Sequence, residues 1–539
     1  MESIKTWWVG SLVAVAACSS GGTGSTGGAA NEGVPRPPTS VVVSSGDSQV
    51  EITFAEGTGA DTTTLFWMQG TEIVPTMVEA IPGVQSPFVL PGLTNGTPYA
   101  FTLISVNDKG DSIPTAVYVA VPSSSGTTAY DPPWANVAPQ EVITFEYDSS
   151  KSTQANGDEL EDVLEGLQPG QKLLIGEGTY TVNPKITLNV TGTAQAPVWI
   201  EPKPGEQVHI TRDDQNQNTI NIGEGFPTRY LALRNIEITW GDTVIRMYDC
   251  ENVWIDGCHI HHFGGGGITA NAEDTDSIYI TRNEIHDSGN INEGEGMYLG
   301  ANGGARIMTN SIIALNHVYN TGGKQGDGIE LKQGSYGNWI VENLVHDNNY
   351  PSILVYGTDG MQPYNVIERN VCYNSGDNVM QVQGEAIVRN NLLVNGGHAF
   401  FSNDHQGTSK NLTVVHNTMV NTGPAGNLSD WNNRPGMVFA NNVCYSKNST
   451  GLRFNGSSGT TVTGNVVVGG VSGAPSSGYV MGDGLSDFQG LEWSATALDA
   501  TPSAGSAISA EGDQAWWLPE DLLGVERVLP VDPGCRDAD

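Results

Sequence analysis

Four side chains in a series of short, similar segments have the types and spacing that proton transfer requires. Glu330 and Lys332 are two positions apart, so in a strand both point to the same side. Tyr298 and Tyr356 occupy comparable places in the segments before and after them. A lysine beside an acid can take a proton from a bound molecule, and tyrosine hydroxyls can donate or accept one. The alternative is that Lys332 is a solvated strand lysine paired with Glu330, which favours its charged form.

Acidic residues lie in the turns before these segments. Those at comparable heights are Asp274, Asp276, Glu293, Glu295 and Asp327. Several carboxylates converging from successive turns would suit Ca²⁺, so calcium is the expected cofactor. The chain has no contiguous calcium-loop motif, however, and solvated acidic turns are the alternative. A glycosidase uses one acid and one base, and two of the three residues Glu295, Asp327 and Glu330 could serve as that pair.

Amide and acidic side chains continue the series towards the C-terminus. The candidates for binding a substrate are Gln381, Gln383, Asn403, Asp404 and His405. Planar hydrogen-bonding groups and aromatic rings along one groove suit a sugar polymer.

A repeated motif indicates how these residues are positioned. It reads Asn, any residue, apolar, then His, Tyr or Val, and copies begin at Asn283, Asn316, Asn343, Asn370, Asn391, Asn417, Asn442 and Asn465. The spacing, about 21 to 33 residues, is typical of an all-β fold, the right-handed parallel β-helix, in which three short strands make one coil. The asparagines would form a buried ladder with the apolar positions inside the coil.

The same register assigns structural roles to other reactive residues. His261, His286 and His346 fall in the position after the apolar one, which predicts ring stacking along the axis rather than catalysis. Cys372 and Cys444 fall in one ladder three coils apart, too far for a disulfide. Cys250 and Cys258 either pair or remain free.

The chain begins with a targeting signal. An apolar stretch, 7–17, follows Lys5 and ends at Cys18, which predicts a lipoprotein-type signal peptide (1–17) with lipidation at Cys18. An ordinary signal peptide is the alternative. A flexible Gly/Ser tether (18–37) follows, and the expected location is the extracellular side, as an outer-membrane or cell-surface lipoprotein that contacts the membrane only through its lipid.

Residues 38–122 are predicted to form a β-sandwich. The segment 93–99, Leu-Thr-Asn-Gly-Thr-Pro-Tyr, resembles a fibronectin type III domain, and the resemblance implies that Tyr99 ties its loop back to the strand. A linker (123–138), the β-helix (139–470) and a C-terminal cap or tail (471–539) complete the predicted organisation.

The start of the β-helix carries a further resemblance. An amphipathic helix at 158–167 would cap the first coil, and the segments 169–175, 178–180 and 192–200 follow it. This succession resembles secreted polysaccharide lyases, particularly the chondroitinase B and alginate lyase group and the family 9 pectate lyases. In those enzymes Lys or Arg removes the proton beside the sugar carboxylate, and Ca²⁺ or Arg often neutralises that carboxylate. Lys332 is assigned the role of this base because of its outward position in the segment 326–332, and not by a complete match to a motif of those enzymes.

The composition limits the classes of molecule that the chain can bind. The formal net charge is −36, from 59 acidic and 23 basic residues, which repels the phosphates of nucleic acids. Three functions remain open for a monomer of this kind. They are a lyase of an acidic polysaccharide, a two-carboxylate glycoside hydrolase, and a non-enzymatic surface protein that binds a glycan or a partner.

Overall fold

The computed structural model describes residues 34–538, except positions 47, 71–72, 74–77, 95–96, 98, 113, 116, 121, 123–127 and 290–292. The predicted signal peptide (1–17), Cys18 and most of the tether (18–37) lie outside the described residues, as does part of the linker. The chain divides into two units, Met1–Asn136 and Val137–Asp539. Within the described part, no helix has the length and apolar character needed to cross a bilayer.

The first unit contains two antiparallel sheets. Its strands are β1 (Thr39–Gly46), β2 (Gln49–Ala55), β3 (Thr62–Gln69), β4 (Glu79–Val84), β5 (Phe88–Pro91), β6 (Tyr99–Asn107), β7 (Gly110–Asp111) and β8 (Tyr118–Ala120). One sheet has the order β1-β2-β5, and the other has the order β4-β3-β6-β7 with β8 beside β6. Alternate residues such as Ile52, Leu65 and Phe101 are fully buried. The Tyr99 hydroxyl accepts a hydrogen bond from the Thr94 amide at 3.0 Å, the type of contact that the sequence predicts.

The second unit is built from one helix and many short strands. The first part contains β9 (Glu141–Phe145), α1 (Thr153–Glu165), β10 (Gln171–Ile175), β11 (Gly178–Thr181), β12 (Ile186–Leu188), β13 (Val198–Pro202), β14 (Val208–Arg212), β15 (Ile220–Ile222), β16 (Thr228–Arg234), β17 (Glu237–Trp240), β18 (Thr243–Met247), β19 (Cys250–Asp256), β20 (His259–His261), β21 (Gly266–Ala270), β22 (Thr275–Asp276), β23 (Tyr279–Thr281), β24 (Glu284–His286), β25 (Glu295–Leu299), β26 (Met308–Thr309), β27 (Ile312–Ala314), β28 (His317–Tyr319) and β29 (Ile329–Leu331). The second part contains β30 (Trp339–Val341), β31 (Leu344–His346), β32 (Ile353–Val355), β33 (Asn365–Glu368), β34 (Val371–Tyr373), β35 (Met380–Val382), β36 (Ala386–Arg389), β37 (Leu392–Val394), β38 (Phe400–Ser402), β39 (Leu412–Val415), β40 (Thr418–Asn421), β41 (Gly426–Leu428), β42 (Val438–Ala440), β43 (Val443–Phe454), β44 (Thr461–Thr463), β45 (Asn465–Ser472), β46 (Tyr479–Met481), β47 (Phe488–Leu491) and β48 (Leu498–Pro502).

These strands stack in register as three parallel ladders. Ladder A runs from β10 through β13, β16, β19, β23, β27, β30, β33, β36, β39 and β42 to β44, and ladder B runs from β11 through β14, β17, β20, β24, β28, β31, β34, β37, β40 and β43 to β45. Ladder C contains β12, β15, β18, β21, β25, β29, β32, β35, β38 and β41. One strand from each ladder makes a coil, and there are about 12 coils. The predicted parallel β-helix is therefore confirmed.

The predicted asparagine ladder is present. Each asparagine Oδ1 accepts from the backbone amide and the side-chain amide of the asparagine one coil earlier, as Asn370 does from Asn343 at 3.0 Å for both contacts. The first position, Cys258, donates its amide to Asn283 Oδ1 at 3.0 Å. All eight asparagines are at most 1% exposed, so these bonds replace those that water would make.

The predicted ring stack is also present. Rings are nearly parallel between His261 and His286, with an interplanar angle of 6°, and between His346 and Tyr373, with an angle of 4°. Tyr319 lies between the two pairs, at 11° to His286 and 10° to His346. These histidines are part of a continuous aromatic column on the outer face of ladder B.

The cysteine arrangement follows the register. Cys372 pairs with Leu393, Leu393 with Met419 and Met419 with Cys444, which places the two cysteines three coils apart as predicted. Cys250 and Cys258 are free and buried, with each thiol donating to a backbone carbonyl instead of forming a disulfide.

A helix covers the first coil of the β-helix, and the C-terminal tail packs on the side of the last coils. Helix α1 begins and ends earlier than the predicted 158–167. It begins earlier because Ser152 caps its first turn by accepting from the Ala155 amide at 3.1 Å. Its Leu160 and Leu164 join the core of the first coils. The tail supplies apolar side chains such as Phe488 and Ile508, which pack on Val394, Val420 and Tyr445 of ladder B. The tail thus covers the outer face of the last coils of ladder B.

Candidate active site

Two rows of side chains point outward from ladder C. Successive strands pair Thr269 with Tyr298, Tyr298 with Glu330, Glu330 with Leu354, and Leu354 with Gln381. The second row lies two residues further along each strand and contains Lys332, Tyr356 and Gln383. Their amides donate to Leu299, Leu331 and Val355 at 2.8 to 3.0 Å. The predicted outward row is therefore brought together on consecutive coils, about 4.8 Å apart.

Glycines allow the backbones of these strands to approach closely. A Cβ at Gly296 would lie 2.6 Å from the Gly328 carbonyl oxygen, and one at Gly328 would lie 2.5 Å from the Ser352 carbonyl oxygen. Both distances are too short for any side chain. Glu295 and Asp327 immediately precede these two glycines, and the Gly296 amide donates to the Asp327 carbonyl at 2.8 Å. The tight packing holds the two acidic residues on adjacent coils.

Lys332 is at the centre of the cluster and is buried. Its ammonium donates to a carboxylate oxygen of Glu330, and the two side chains are only 4% and 3% exposed. The ammonium also lies 4.4 Å from the ring centroid of Tyr298 and 5.2 Å from that of Tyr356. Cation–π contact with two rings and a hydrogen-bonded carboxylate compensate for the loss of water around the charge. The sequence alternative of a solvated lysine is wrong in this respect, although its pairing with Glu330 is correct.

Three carboxyl groups around Lys332 have raised pKa values. Burial, followed by repulsion from Glu330, raises the pKa of Glu295 to about 8. Burial and the same repulsion raise the pKa of Asp327 well above its ordinary range. Burial also raises the pKa of Glu330, although the Lys332 ammonium opposes the shift. Glu295 thus retains its proton at neutral pH, which equips the cluster for general acid chemistry.

We expect the contribution of Glu295 to the free energy of unfolding to decrease as the pH rises from 4.5 to about 8. The folded state keeps the Glu295 proton up to about pH 8, whereas the unfolded state releases it near 4.5, so rising pH favours unfolding. The slope from one such group approaches about 1.4 kcal/mol per pH unit. Chemical denaturation of wild type and Glu295→Gln at several pH values isolates this effect, because groups common to both cancel. A difference between the two proteins that does not vary with pH would contradict the assignment.

A loop covers the cluster from one side. Gln406 follows β38, and its side chain accepts from the Gly303 amide and donates to Asn302 Oδ1, both at 3.2 Å. It also donates to the Tyr356 hydroxyl at 3.5 Å, and the neighbouring His405 ring packs on the Tyr356 ring at 5.3 Å. Because β25 and β38 are four coils apart, the contact spans about 19 Å of the axis. We call residues 403–410 the covering loop.

The predicted substrate-binding residues divide into two groups. Gln381 and Gln383 continue the two outward rows but are buried, and Gln383 Oε1 accepts from the Gly357 amide at 3.3 Å. Asn403, Asp404 and His405 belong to the covering loop. The Asp404 carboxylate is 2.7 Å from Arg434 and accepts from the Ser409 amide at 2.7 Å, so it fixes the loop.

The predicted calcium ligands do not converge as a set. Asp276 lies on β22, which pairs with ladder A, and accepts from Thr309 at 2.6 Å. Asp274 accepts from the Ile307 amide at 3.0 Å, and Glu293 is 3.6 Å from Lys324. Only Glu295 and Asp327 belong to the cluster, where the charge of Glu330 raises the pKa of each and the charge of Lys332 lowers it. One buried oxygen of Asp327 and one of Glu330 have no hydrogen-bond partner in the described chain.

A polar groove of about 700 Å³ lies in the turns that lead into ladder C, on the side of the cluster where Asp327 is, and the sequence did not predict it. It is lined by Thr321, Asp347, Asn348, Asn349, Asn374, Ser375, Gly376, Asn395, Gly396 and Gly397, which are turn residues on successive coils between ladders B and C. Asn348 Oδ1 lies 3.3 Å from the Cβ position of Gly328, beside Asp327. Side-chain amides that both donate and accept match the hydroxyl groups of sugars. Gln406 was likewise missed, because loop contacts between distant coils leave no periodic signal.

Comparison with known proteins agrees with this architecture. Residues 220–365 match a family model described as a right handed beta helix region. The β-helix is right-handed, as predicted. The match covers only part of the chain.

Several solved structures are similar in fold. An alginate lyase from Paenibacillus sp. str. FPU-7 is 16% identical, with 62% of this chain and 99% of that chain covered and a TM-score of 0.41. Pectate lyase Pel9A is 14% identical, with coverage of 75% and 98% and a TM-score of 0.44. XylC in complex with xylose is 9% identical, with coverage of 73% and 98% and a TM-score of 0.49. No curated protein sequence matches this chain significantly.

Proposed function

We propose that this chain is a polysaccharide lyase that cleaves an acidic glycan by β-elimination at the cluster around Lys332. The observation that carries the proposal is the burial of Lys332, the only buried lysine among the described residues, between two tyrosine rings and a carboxylate. Perturbed titratable groups that surround a buried charge beside a groove favour a functional site. The adjoining groove gives a sugar polymer a place to bind along the coils.

The proposed reaction assigns a role to each member of the cluster. Lys332 passes its proton to Glu330 and, as a neutral amine, takes the proton from the carbon that bears the sugar carboxylate. The electron pair left on that carbon forms a carbon–carbon double bond as the bond to the glycosidic oxygen breaks. Burial raises the pKa of Tyr298, so its hydroxyl keeps a proton that it can give to the leaving oxygen. Protonated Glu295 and Asp327 donate hydrogen bonds to the sugar carboxylate.

Calcium has no step in this reaction. Ca²⁺ takes six to eight oxygen ligands, and the five predicted ligands are divided between ladders A and C. The carboxyl groups of the cluster surround an ammonium, which already supplies positive charge. We expect the activity to persist when a chelator is added. If the chelator abolishes the activity and added calcium restores it, calcium takes part in the mechanism.

The first test of the proposal is a panel of polymers. Alginate, pectate and chondroitin are incubated with the protein, with neutral glycans as controls, and ultraviolet absorbance reports unsaturated uronate. We expect a rise with one polyuronate and none with neutral glycans. Binding of a polymer without any product would instead favour a non-enzymatic glycan-binding protein.

A glycoside hydrolase is the second candidate, and one observation favours it. The raised pKa values of Glu295 and Asp327 provide a protonated acid, while Lys332 helps keep Glu330 ionised as a base. Such an enzyme would produce new reducing ends without ultraviolet absorbance, and it would need two of these acids rather than the lysine.

The covering loop is expected to limit access, since Lys332 and Tyr356 are 4% and 3% exposed beneath it. Gln406→Ala removes the hydrogen bonds that close the loop, which is worth about 1 kcal/mol and shifts the equilibrium towards the open form. We therefore expect polymer binding to tighten about fivefold, because only the open form binds. Binding is measured on the polymer that the panel identifies, with Gln489→Ala, an exposed residue near the C-terminus, as the control. Unchanged or weaker binding would mean that the loop does not obstruct the site.

We also propose that the chain is exported and held at the cell surface by a lipid on Cys18, with a fibronectin type III-like spacer before the catalytic unit. Substitution of Cys18 by serine should release the protein from the membrane fraction. Retention of that variant in the membrane would contradict the lipid anchor.

A further inference from the structure

Histidine and glutamate side chains are concentrated on the outer face of ladder B, on strands other than those of the proposed active site. Strand β17 contributes Glu237, β20 contributes His259 and His261, and β24 contributes Glu284 and His286. The register pairs Glu237 with His259, His259 with Glu284, and His261 with His286. Three consecutive coils thus present five metal-ligating side chains on one surface.

The donor atoms of these residues converge on His259. The ligand atoms of His259, Glu284 and His286 all lie within 4.8 Å of one another, and so do those of Glu237, His259 and His261. In the first group, His259 Nε2 is 2.7 Å from His286 Nε2 and 4.0 Å from Glu284 Oε2. A zinc ion with bonds of about 2.0–2.1 Å holds its nitrogens roughly 3.3 Å apart, so small ring movements would complete the site.

Neighbouring groups orient the first set of ligands. His286 Nδ1 is 2.9 Å from Asp287 Oδ2, so the aspartate accepts the Nδ1 proton and leaves the Nε2 lone pair directed at His259. The Tyr319 hydroxyl donates to Glu284 Oε1 at 2.8 Å, which leaves Oε2 as the oxygen nearest His259. Carboxylates and hydroxyls placed behind the ligands in this way are a general feature of metal sites.

We infer that His259, His286 and Glu284 bind one divalent transition-metal ion of the zinc class, with water as the fourth ligand. Two imidazoles and one carboxylate form a donor set that zinc accepts, whereas calcium and magnesium prefer oxygen ligands alone. The second group lacks the same support, because His261 Nδ1 lies 2.5 Å from His262 Nδ1 and not beside a carboxylate. The bound ion would join β20 to β24 and stabilise the contact between two coils.

The chain contains an internal control for this site. His317 and His346 repeat the geometry further along the ladder, with their Nε2 atoms 2.8 Å apart and Asp347 Oδ2 2.7 Å from His346 Nδ1. No acidic side chain completes a three-ligand group there within the described residues. A paired-histidine arrangement alone therefore does not distinguish the proposed site, whereas the nearby Glu284 carboxylate does.

The experiment measures zinc binding to the full-length chain without a polyhistidine tag. Isothermal titration with Zn²⁺ should give one ion per chain, confirmed by elemental analysis after dialysis. His259→Gln and Glu284→Gln should each weaken binding by about 100-fold or more, since each removes a ligand. Zn²⁺ should also raise the melting temperature of the wild type, and a chelator should reverse the rise.

Two variants serve as controls. His317→Gln and Glu237→Gln should bind zinc as the wild type does. Binding that is absent in the wild type, or that persists unchanged in both His259→Gln and Glu284→Gln, would overturn the inference. If Glu237→Gln loses zinc binding while Glu284→Gln retains it, the assignment of the ligands is overturned. Circular dichroism of every variant without metal distinguishes loss of a ligand from loss of the fold.

Discussion

Lys332→Met is expected to reduce the rate of polymer cleavage by about 10³-fold or more, because it removes the group that takes the proton from the substrate. Methionine fills a similar volume and can pack against the rings of Tyr298 and Tyr356, so the coil should remain closed. In the variant Glu330 loses its ion pair, but burial already raises its pKa, so it can become protonated and neutral. Initial rates are measured by ultraviolet absorbance on the polymer that the panel identifies.

A matched lysine elsewhere provides the control. Lys172 on ladder A is 2.5 Å from Glu201 and lies 6.0 Å from the centroid of the Trp199 ring, which reproduces the ion pair and the ring contact away from ladder C. Lys172→Met should leave the rate unchanged. If Lys332→Met melts like the wild type and retains a tenth or more of its activity, Lys332 is not the base.

A second variant tests where the lysine proton goes. Glu330→Gln keeps an acceptor for the ammonium but cannot take its proton, so Lys332 stays charged and the rate should fall to a similar extent. Full activity in this variant would mean that the Lys332 proton is released to water rather than to Glu330.

Asn370→Ala is expected to have the largest effect on stability, a loss of about 3–5 kcal/mol, because buried polar groups would be left without partners. Asn370 Oδ1 accepts from the backbone and side-chain amides of Asn343, and its own amide donates to the Ile340 carbonyl at 3.0 Å and to Asn391 Oδ1 at 2.9 Å. All of these contacts are buried. Chemical denaturation measures the loss, and amide exchange should localise it to the coils on either side.

The control for the ladder is an exposed asparagine. Asn455 makes a single side-chain contact of 3.5 Å with Arg453 at the surface, so Asn455→Ala should change stability by less than about 0.5 kcal/mol. A loss of under about 1 kcal/mol in Asn370→Ala would show that the coils close over the gap and that the ladder is not a main source of stability.

The sequence was sufficient to predict the coil, since its physical cause is local and repeated. One asparagine and one apolar residue recur on eight successive coils, and each must contact its equivalents above and below. The ring column of His286, Tyr319 and His346 follows from the same register. A second polar ladder was missed, which consists of Ser311, Asn338 and Asn365. It has few members, and none of them begins a copy of the repeated motif.

The sequence was less informative about the site. Alternation within strands placed Glu330 and Lys332 on one outward face, but it did not predict that the pair is buried. The covering loop packs on Tyr356 beside the pair, and its Gln406 reaches Gly303 more than a hundred residues earlier in the chain. Contacts of that kind depend on loop conformations that have no period. The prediction that Asp276 and Glu295 lie side by side failed for a related reason. The sequence indicates how far along the axis each residue lies, but it does not show that Asp276 belongs beside ladder A and Glu295 on ladder C.

The central claim is tested most directly by the mass of the products formed in water enriched in heavy oxygen. Elimination breaks the glycosidic bond without water, so each new pair of ends should contain an unsaturated uronate and no solvent oxygen. Hydrolysis adds one solvent oxygen for every bond that is cut. Unsaturated, unlabelled products that disappear with Lys332→Met are the result that the lyase account predicts. Labelled reducing ends without unsaturation would contradict it and assign the cluster to a glycoside hydrolase.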